Sequence, residues 1–322
     1  MAQVDVAYCN LLKEICEKGV DKDSRAGKVR SIFGHQIRID LSKGIPILSV
    51  RKMFARGVIE ELLWFLRGET NIKTLVEKGV NIWTDDAYRH YCEITKDYHD
   101  NVNKVDDKET FVKDTINGLA CYFWSYRKNK LISYKYGDLG PVYGKQWRNF
   151  GGRDQIAELI KTLKNNPDDR RLLVVAFNPG EIDDMALPPC HVMFQFYTQE
   201  TESGKRRLSC MWIQRSVDCG CGWGFNVLSY AVLTHIIANV CGMEVGDLIC
   251  SLGDTHIYHN QMDAVNTILE RNTDDRPIPQ LKMKEYDGKT DPIEWIENLK
   301  YEDFTIENYD PYPAVKMPLS VG

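Results

Sequence analysis

The first part of the chain carries both helical and strand-like hydrophobic patterns. Apolar side chains between residues 4 and 18 recur at helical spacing and Gly19 follows them, which predicts a helix. Residues 37–41 alternate between apolar and charged side chains, which predicts a strand. The apolar run at 54–67 predicts a second helix, and it contains the carboxylate pair Glu60–Glu61.

The second half of the chain is rich in strand patterns. Apolar runs between turn residues predict strands at 170–179, 191–200 and 206–216, a helix at 225–241, a strand at 247–258 and a helix at 259–271. Gly204 separates two of these strands and favours a hairpin. We therefore expect an α+β fold, with one large mixed β-sheet flanked by helices.

Residues 86–137 differ in amino-acid composition from the rest of the chain. Polar and charged side chains dominate at first, and aromatic ones such as Trp124 follow. We interpret this segment as a surface insertion with its own small helical cluster, within a single domain that spans residues 1–322. A solvated lobe without a chemical role is the simplest explanation for it.

Composition and charge narrow the class of protein. The 322 residues are 43% hydrophobic and 27% charged, as in a globular protein with a large core. The net charge of −5 provides no basic field, so we expect no nucleic-acid partner. The N-terminus lacks a signal-peptide pattern, and polar residues interrupt the apolar stretch at 225–243, which indicates a buried helix rather than a membrane span. Ten cysteines without framework spacing predict reduced thiols and a cytoplasmic protein.

The segment MALPPCHV, residues 185–192, carries a candidate nucleophile. Two prolines stiffen the approach to Cys190. A cysteine beside a strand is most often a small buried apolar residue, whereas a nucleophile needs positive charge nearby. Arg170 and Arg171 begin one predicted strand and Arg215 ends another, so such charge is available. A surface ion pair is the more common role of each arginine.

The segment QRSVDCGCGWGFN, residues 214–226, is a second candidate site. Arg215 and Ser216 at a strand end suit a phosphate, because a guanidinium fork and a hydroxyl supply several charge-assisted hydrogen bonds. Asn226 is either the N-cap of the next helix or an amide that pairs with a pyrimidine edge. Cys219 and Cys221 form a C-x-C pair in this segment, but no second cysteine pair lies nearby, so we predict no metal site.

A third candidate lies in LGDTHIYHN, residues 252–260. His256 and Tyr258 are two positions apart, so they share one face of the predicted strand. A lone histidine is usually structural, but this pair is also able to hydrogen-bond a sugar hydroxyl.

Together these segments resemble the thymidylate synthase family, which includes the pyrimidine-nucleotide hydroxymethylases. The similarity extends over nearly the whole chain in ordered blocks: SIFGHQIRIDL, ELLWFLRGETN, GPVYGKQWR, NPDDRRL, MALPPCH, QRSVD, FNVLSYAVLTHIIA, LGDTHIY and YDPYPAVKMPLSV. So many blocks in one order exclude chance similarity. The resemblance implies the family's fold, in which one sheet face forms a dimer interface, and some members carry an insertion at 86–137.

The resemblance implies one-carbon transfer from 5,10-methylenetetrahydrofolate to C5 of dUMP. Cys190 matches the nucleophile that adds to C6 of the ring. Glu61 matches a glutamate that works through ordered water, and Tyr143 a tyrosine that helps to remove the C5 proton. Asn226 matches the residue that reads O4 and N3, and asparagine there points to dUMP rather than dCMP.

The resemblance also implies the ligand contacts. The matched nucleotide-binding positions are Arg25, Arg170, Arg171, Arg215, Ser216, His256 and Tyr258, and the matched cofactor-binding positions are Trp83, Asp218, Gly222 and Val321. The family lends the pair at Arg170 and Arg171 to the other subunit's phosphate, which implies a homodimer. Four guanidinium groups around one phosphate would also favour the Cys190 thiolate.

The chain departs from the family pattern on the cofactor side. Where the family has Arg-Thr-Gly-Thr-Gly-Thr, residues 25–30 read RAGKVR, in a segment one residue shorter. Where the family has Leu-Gly-x-Pro-Phe-Asn, residues 221–226 read CGWGFN, so a leucine is lost and a stiff proline becomes a flexible glycine. The family's chain ends in valine, but here Gly322 follows Val321.

These departures bear on the product. A synthase transfers hydride from tetrahydrofolate to a methylene on C5 and gives dTMP, whereas a hydroxymethylase lets water add and gives 5-hydroxymethyl-dUMP. Looser packing over that carbon would admit water. We therefore expect a dUMP hydroxymethylase, as in a virus-encoded enzyme acting in the host cytoplasm. Thymidylate synthase is the alternative, which Trp83 favours, and an inactive nucleotide-binding paralogue is a minor alternative.

Overall fold

Helices and strands follow one another along the chain. The computed structural model describes residues 2–102, 106–125, 130–202, 204–272, 274 and 276–318. Its helices are α1 Gln3–Lys18, α2 Ala55–Leu66, α3 Lys73–Glu77, α4 Thr84–Val102, α5 Lys108–Ile116, α6 Tyr143–Arg148, α7 Gln155–Asn165, α8 Trp223–Cys241, α9 Met262–Leu269 and α10 Pro292–Glu297. Its strands are β1 Val20–Ser24, β2 Gly27–Asp40, β3 Ala120–Ser125, β4 Lys130–Lys135, β5 Leu173–Val175, β6 His191–Glu200, β7 Arg206–Asp218, β8 Glu244–Tyr258, β9 Gln280–Met283 and β10 Phe304–Glu307.

A six-stranded mixed sheet organises the fold, in the order β1-β2-β8-β7-β6-β5. Strands β7 and β8 are parallel, and α8 provides the crossover that parallel neighbours require. The other neighbouring pairs are antiparallel, including the β6–β7 hairpin expected at Gly204. The expected α+β class, with a large mixed sheet and flanking helices, is confirmed.

Helix α8 is the central apolar helix. Within the part of the chain that the structure describes, it alone has the length and the mean hydropathy (1.4) of a membrane-crossing helix. However, 72% of this apolar window is buried inside the protein, as in a core helix. Its burial is nearly all-round, which explains why its sequence shows little helical amphipathicity.

Three predicted elements show how the structure departs from the sequence expectation. The strand expected at 170–179 is shortened to β5, because the Asp169 carboxylate captures the backbone N–H of Arg171 at 2.8 Å and closes a turn. Strand β2 begins ten residues earlier than expected, and its pairing with β8 passes over Gly34, whose φ is 79°, without a change of register. The last expected helix begins only at Met262, after a 3-10 turn at His259–Gln261.

The segment at 86–137 contains α4, α5 and the hairpin β3–β4. The helices were expected, and the hairpin was not. Tyr91 and Phe111 are fully enclosed, and the Asp106 carboxylate accepts hydrogen bonds from the hydroxyls of Tyr91 and Tyr136 at 2.8 and 2.9 Å. The segment therefore has an aromatic cluster of its own, closed by one carboxylate.

Candidate active site

Cys190 ends a loop that leads directly into β6. Its backbone N–H donates to the Tyr143 hydroxyl at 2.7 Å, and its carbonyl accepts from the backbone N–H of Arg215 at 2.9 Å. The Arg215 guanidinium donates to the carbonyls of Pro188 and Pro189, both at 2.9 Å. Proline carbonyls have no strand partner here, so Arg215 both satisfies them and fixes the loop.

Charge and burial oppose each other at the Cys190 thiol. The Nη2 atom of Arg215 lies 4.0 Å from Sγ. Burial raises the pKa of Cys190, Arg215 opposes this effect, and Asp86 adds to it. The net pKa is raised, so the arginines of a single chain do not produce the thiolate that the sequence led us to expect.

The reason is the position of Arg170 and Arg171. Both side chains are exposed on the turn before β5, and Arg171 pairs with Asp169 at 3.0 Å. Neither is among the groups that influence Cys190 of the same chain. The sequence analysis considered Arg170, Arg171 and Arg215 as neighbours of Cys190. Of these three, only Arg215 lies near Cys190 within a single chain.

Glu61 and Trp83 meet beside Tyr143. The Trp83 indole N–H donates to Glu61 Oε1 at 2.7 Å, and the Trp83 and Tyr143 ring centroids are 6.1 Å apart. Burial raises the pKa of Glu61 to about 7, against the opposing effect of the Trp83 hydrogen bond. Burial also raises the pKa of Tyr143 well above 10, so its hydroxyl stays protonated. The site thus holds a carboxyl that can exchange a proton near neutral pH.

Asn226 belongs to the first turns of α8 and is not its cap. The N-cap is Gly222, so the capping interpretation of Asn226 is wrong. Its Nδ2 donates to Gln214 Oε1 at 3.2 Å, and the His191 side chain also hydrogen-bonds Asn226. Burial lowers the pKa of His191 to about 4, so a neutral imidazole orients the amide.

Gln214 and His191 are the positioning residues that sequence reasoning missed. Gln214 is buried, accepts from the Trp212 indole at 3.2 Å and donates to the Ser216 carbonyl at 3.0 Å. Each directly adjoins a residue that was singled out, Arg215 and Cys190 respectively. That adjacency was the available signal, but the residue types alone did not indicate a shared hydrogen-bond network.

Four of the proposed nucleotide-binding residues lie at the ends of β7 and β8: Arg215, Ser216, His256 and Tyr258. The His256 and Tyr258 rings meet edge to face with centroids 5.3 Å apart, and His256 Nδ1 lies 3.0 Å from Asp254 Oδ1. Ser216 is the register partner of Asp254. Burial raises the pKa of Tyr258, which is also influenced by Arg25 in the exposed β1–β2 turn and by Cys190.

Asp218 closes the turn that leads into α8. Its carboxylate accepts from the Cys221 backbone N–H at 2.9 Å and from Gln261 Nε2 at 3.0 Å, and its carbonyl accepts from the Gly222 N–H at 2.8 Å. Gln261 Nε2 also donates to the Pro318 carbonyl at 3.1 Å, so this turn meets the C-terminal segment. The predicted contact at residue 321 lies outside the described residues.

The wall formed by residues 221–224 is closely packed. Trp223 is fully buried and stacks on Tyr8 with the ring centroids 5.3 Å apart and nearly parallel. A Cβ added to Gly224 would lie 2.5 Å from Leu48 Cδ1. The guanidinium of Arg51 donates to the Cys221 carbonyl at 2.8 Å. The expectation of a flexible glycine is therefore wrong, because Gly224 is a helical residue in tight contact.

Comparison with known proteins agrees with this arrangement, which is that of an enzyme with a thiol beside titratable and amide groups. The family model described as thymidylate synthase matches residues 6–321. A thymidylate synthase of Mycoplasma mobile is 42% identical over 318 residues, covering 98% of this chain and 99% of that protein. One of Staphylococcus haemolyticus is 41% identical over 328 residues, covering 98% of each. The chain belongs to the thymidylate synthase family of one-carbon transferases.

Among the residues that the structure describes, no group of three or more His, Cys, Asp or Glu side chains could hold a metal ion.

Proposed function

We propose that this protein is a thymidylate synthase that methylates dUMP at C5 with 5,10-methylenetetrahydrofolate, and that it releases dTMP and dihydrofolate. The packing of residues 221–224 is the structural observation that carries this choice over the hydroxymethylase. A fully buried Trp223 stacked on Tyr8 supports a wall that excludes water. The names of the two relatives, at 42% and 41% identity, support the same product.

Cys190 is the proposed nucleophile toward C6 of the pyrimidine. When Sγ bonds to C6, the electron pair of the C5–C6 double bond moves toward O4. The amide of Asn226, held by Gln214 and His191, is placed to stabilise that charge by a hydrogen bond. Burial raises the pKa of Cys190 in a single chain, so we propose that the Arg170 and Arg171 side chains of a second chain supply further positive charge near the thiol.

Glu61 and Tyr143 are the proposed proton-transfer groups. A carboxyl with a pKa of about 7 can donate a proton as charge develops on O4 and take one up later. The Tyr143 hydroxyl accepts from the Cys190 N–H, so it lies at the nucleophile and can relay the proton that leaves C5. Trp83 fixes the Glu61 carboxyl through its indole N–H.

The residues on the cofactor side fit a folate. Arg51 donates to the Cys221 carbonyl at 2.8 Å, so it brings positive charge to this wall, which suits an acidic ligand. Trp83 and Phe225 offer aromatic faces to a flat ring. We propose that these residues, together with Asp218 and Gly222, bind the folate. When bound, the folate supplies the one-carbon unit and the hydride.

The active unit is proposed to be a homodimer, in which each chain supplies Arg170 and Arg171 to its partner's nucleotide phosphate. Their exposure, and their absence from the surroundings of Cys190, support this arrangement. Tyr197, which is 68% exposed, lines one face of the sheet together with Met211 and Ile249, among polar side chains such as Gln195, and we propose that this mixed face contacts the second copy. Mixing Cys190→Ser with Arg170→Ala/Arg171→Ala chains should restore activity. Failure of refolded mixtures to regain any would refute the shared site.

One incubation separates the two products. The protein is mixed with dUMP and 5,10-methylenetetrahydrofolate, and the nucleotide mass and the near-ultraviolet signal of dihydrofolate are followed. We expect a methyl product with one dihydrofolate per nucleotide, and no reaction for Cys190→Ser. A hydroxymethyl product without dihydrofolate would overturn the proposal. That outcome would favour the hydroxymethylase, which keeps one argument: a small cysteine at position 221.

A further inference from the structure

Helix α4, the first element of the segment at 86–137, reaches the loop that carries Cys190. Arg89 Nη2 donates to the Ala186 carbonyl at 2.9 Å and lies 2.8 Å from Asp86 Oδ1. Its Nη1 lies 3.2 Å from Glu93 Oε1. The Arg89 and Asp86 side chains are only 20% and 21% exposed, so this ion pair is shielded from water far more than a typical surface pair.

Ala186 is held from two directions. Its backbone N–H donates to the Leu139 carbonyl at 2.9 Å, while Arg89 binds its carbonyl. Gly140 packs so closely on this loop that an added Cβ would lie 1.9 Å from the Asp184 carbonyl oxygen. Beyond Ala186 the chain reads Leu-Pro-Pro-Cys, and the prolines restrict the backbone between the anchored residue and Cys190. A shift of Ala186 is therefore transmitted to the thiol.

Asp86, the ion-pair partner of Arg89, also influences Cys190 through its charge. The titratable and charged groups around Cys190 are Arg215 on β7, Asp86 on α4, Tyr143 on α6 and Tyr258 on β8. Asp86 is the carboxylate among them, and Arg89 is its partner at 2.8 Å. Asp86 opposes the thiolate even with Arg89 beside it, so the loss of Arg89 would leave this negative charge less compensated.

We propose that Asp86 and Arg89 are positioning residues, through which α4 holds the Cys190 loop and sets the charge that faces the thiol. The inference deepens the proposed function, since it rests on Cys190 as the nucleophile. It gives the segment at 86–137 a role beyond that of a solvated lobe.

Two variants with opposite expected signs test the pair. Alkylation of Cys190 by iodoacetamide is followed by peptide mass spectrometry between pH 6 and 10. Arg89→Met leaves Asp86 unbalanced, so at pH 8 the alkylation rate should fall by about fivefold and the pH midpoint should rise. Asp86→Asn removes the negative charge, so the rate should increase and the midpoint should fall. Both should lower kcat by about tenfold, because both disturb the loop.

Matched controls separate positioning from folding. Arg153→Met removes another arginine that binds a helical glutamate, Glu158, but on the exposed surface, and it should leave the alkylation profile unchanged. Arg89→Lys keeps the positive charge but lacks the forked guanidinium group. Compared with Arg89→Met, it should therefore show the wild-type pH profile of alkylation but still a lowered kcat. Cys92 on α4 reports on the helix itself, because faster alkylation there would show that α4 has opened.

The outcomes are distinct. The inference would be overturned if the pH midpoint of Cys190 alkylation shifted in the same direction in Arg89→Met and Asp86→Asn, or if it shifted in neither variant. Accelerated Cys92 alkylation in both variants would also overturn it, since the pair would then only stabilise α4. Full turnover by Cys190→Ser would instead refute the proposed function, and the alkylation profiles would still decide what Asp86 and Arg89 do to the thiol.

Discussion

Two walls of the site are held together by different forces. The nucleophile wall, residues 185–190 with Arg215, is fixed mainly by hydrogen bonds to its backbone: Arg89 and Arg215 donate to its carbonyls, and the Tyr143 hydroxyl accepts from the Cys190 N–H. The cofactor wall, residues 218–224, has its own hydrogen bonds, but its apolar part is fixed by the shapes of Trp223, Tyr8 and Leu48.

For this reason the sequence motifs predicted too much of one wall and too little of the other. They predicted an activated thiol at Cys190 and loose packing around Gly224. The nucleophile wall has the residues expected of it, yet burial raises the Cys190 pKa, and Arg215 opposes this effect only in part. The cofactor wall departs from the family motif, yet it is densely packed, since Gly224 admits Leu48 where a larger side chain would not fit. The properties of a wall held by charged groups depend on which other charges lie nearby, whereas those of a wall held by packing depend on the volumes of its own side chains.

Cys190→Ser should have the largest effect and tests the nucleophile wall directly. A serine hydroxyl is a far weaker nucleophile at neutral pH, so we expect kcat to fall by about 10⁴-fold or more. The control is Cys16→Ser on α1, which should retain full turnover. Steady-state assays and the mass of the nucleotide-bound protein measure the loss; a covalent adduct in the serine variant would contradict the assignment.

Glu61→Gln should come next, with a loss of about 100-fold in kcat. The Glu61 pKa of about 7 means that the wild-type carboxyl is protonated below pH 7 and ionised above it. If it donates its proton as Cys190 adds, the wild-type rate of adduct formation has a limb that falls as pH rises through about 7. The glutamine variant should lack this limb. Rapid-mixing measurements from pH 5.5 to 9 decide this, and an unchanged limb would assign it to another group.

Gly224→Ala probes the cofactor wall and should reduce stability rather than chemistry. Its Cβ would clash with Leu48 Cδ1 at 2.5 Å, which predicts a loss of about 1–3 kcal/mol in the free energy of unfolding. Gly222→Ala is the matched comparison, since its Cβ would meet its nearest atom, the Asp218 carbonyl oxygen, at 3.3 Å. Urea titration should show the larger loss of unfolding free energy for Gly224→Ala. Equal losses would mean that Leu48 moves aside at little cost.

Trp223→Phe should have the smallest effect, about 1 kcal/mol in unfolding free energy. The stacked contact with Tyr8 is partly kept, and the buried indole N–H, which has no partner among the described residues, is removed. The useful readout is the product: we expect a trace of 5-hydroxymethyl-dUMP if this packing excludes water. A strictly methyl product would show that other residues keep water out.

Local signals were predictable from the sequence, and contacts between distant segments were not. Gly204 indicated the β6–β7 hairpin because a turn is encoded by its own residues. The strand around β5 was overestimated because one side chain, Asp169, competes for its backbone. Arg89 and Ala186 are 97 positions apart, and nothing near either of them signals the contact. The Cys190 pKa follows from burial, which only the packed fold defines.

The strand order has a consequence for the synthesis of the protein. Strand β8 lies between β2 and β7, so it joins the hairpin made first on the ribosome to the three strands made much later. A nascent chain that ends before Glu244 has the apolar helix α8 and strand β7 but lacks β8, the second strand against which that helix packs. The sheet therefore closes late in translation, and the unfinished chain presents a natural substrate for chaperones that bind exposed apolar segments.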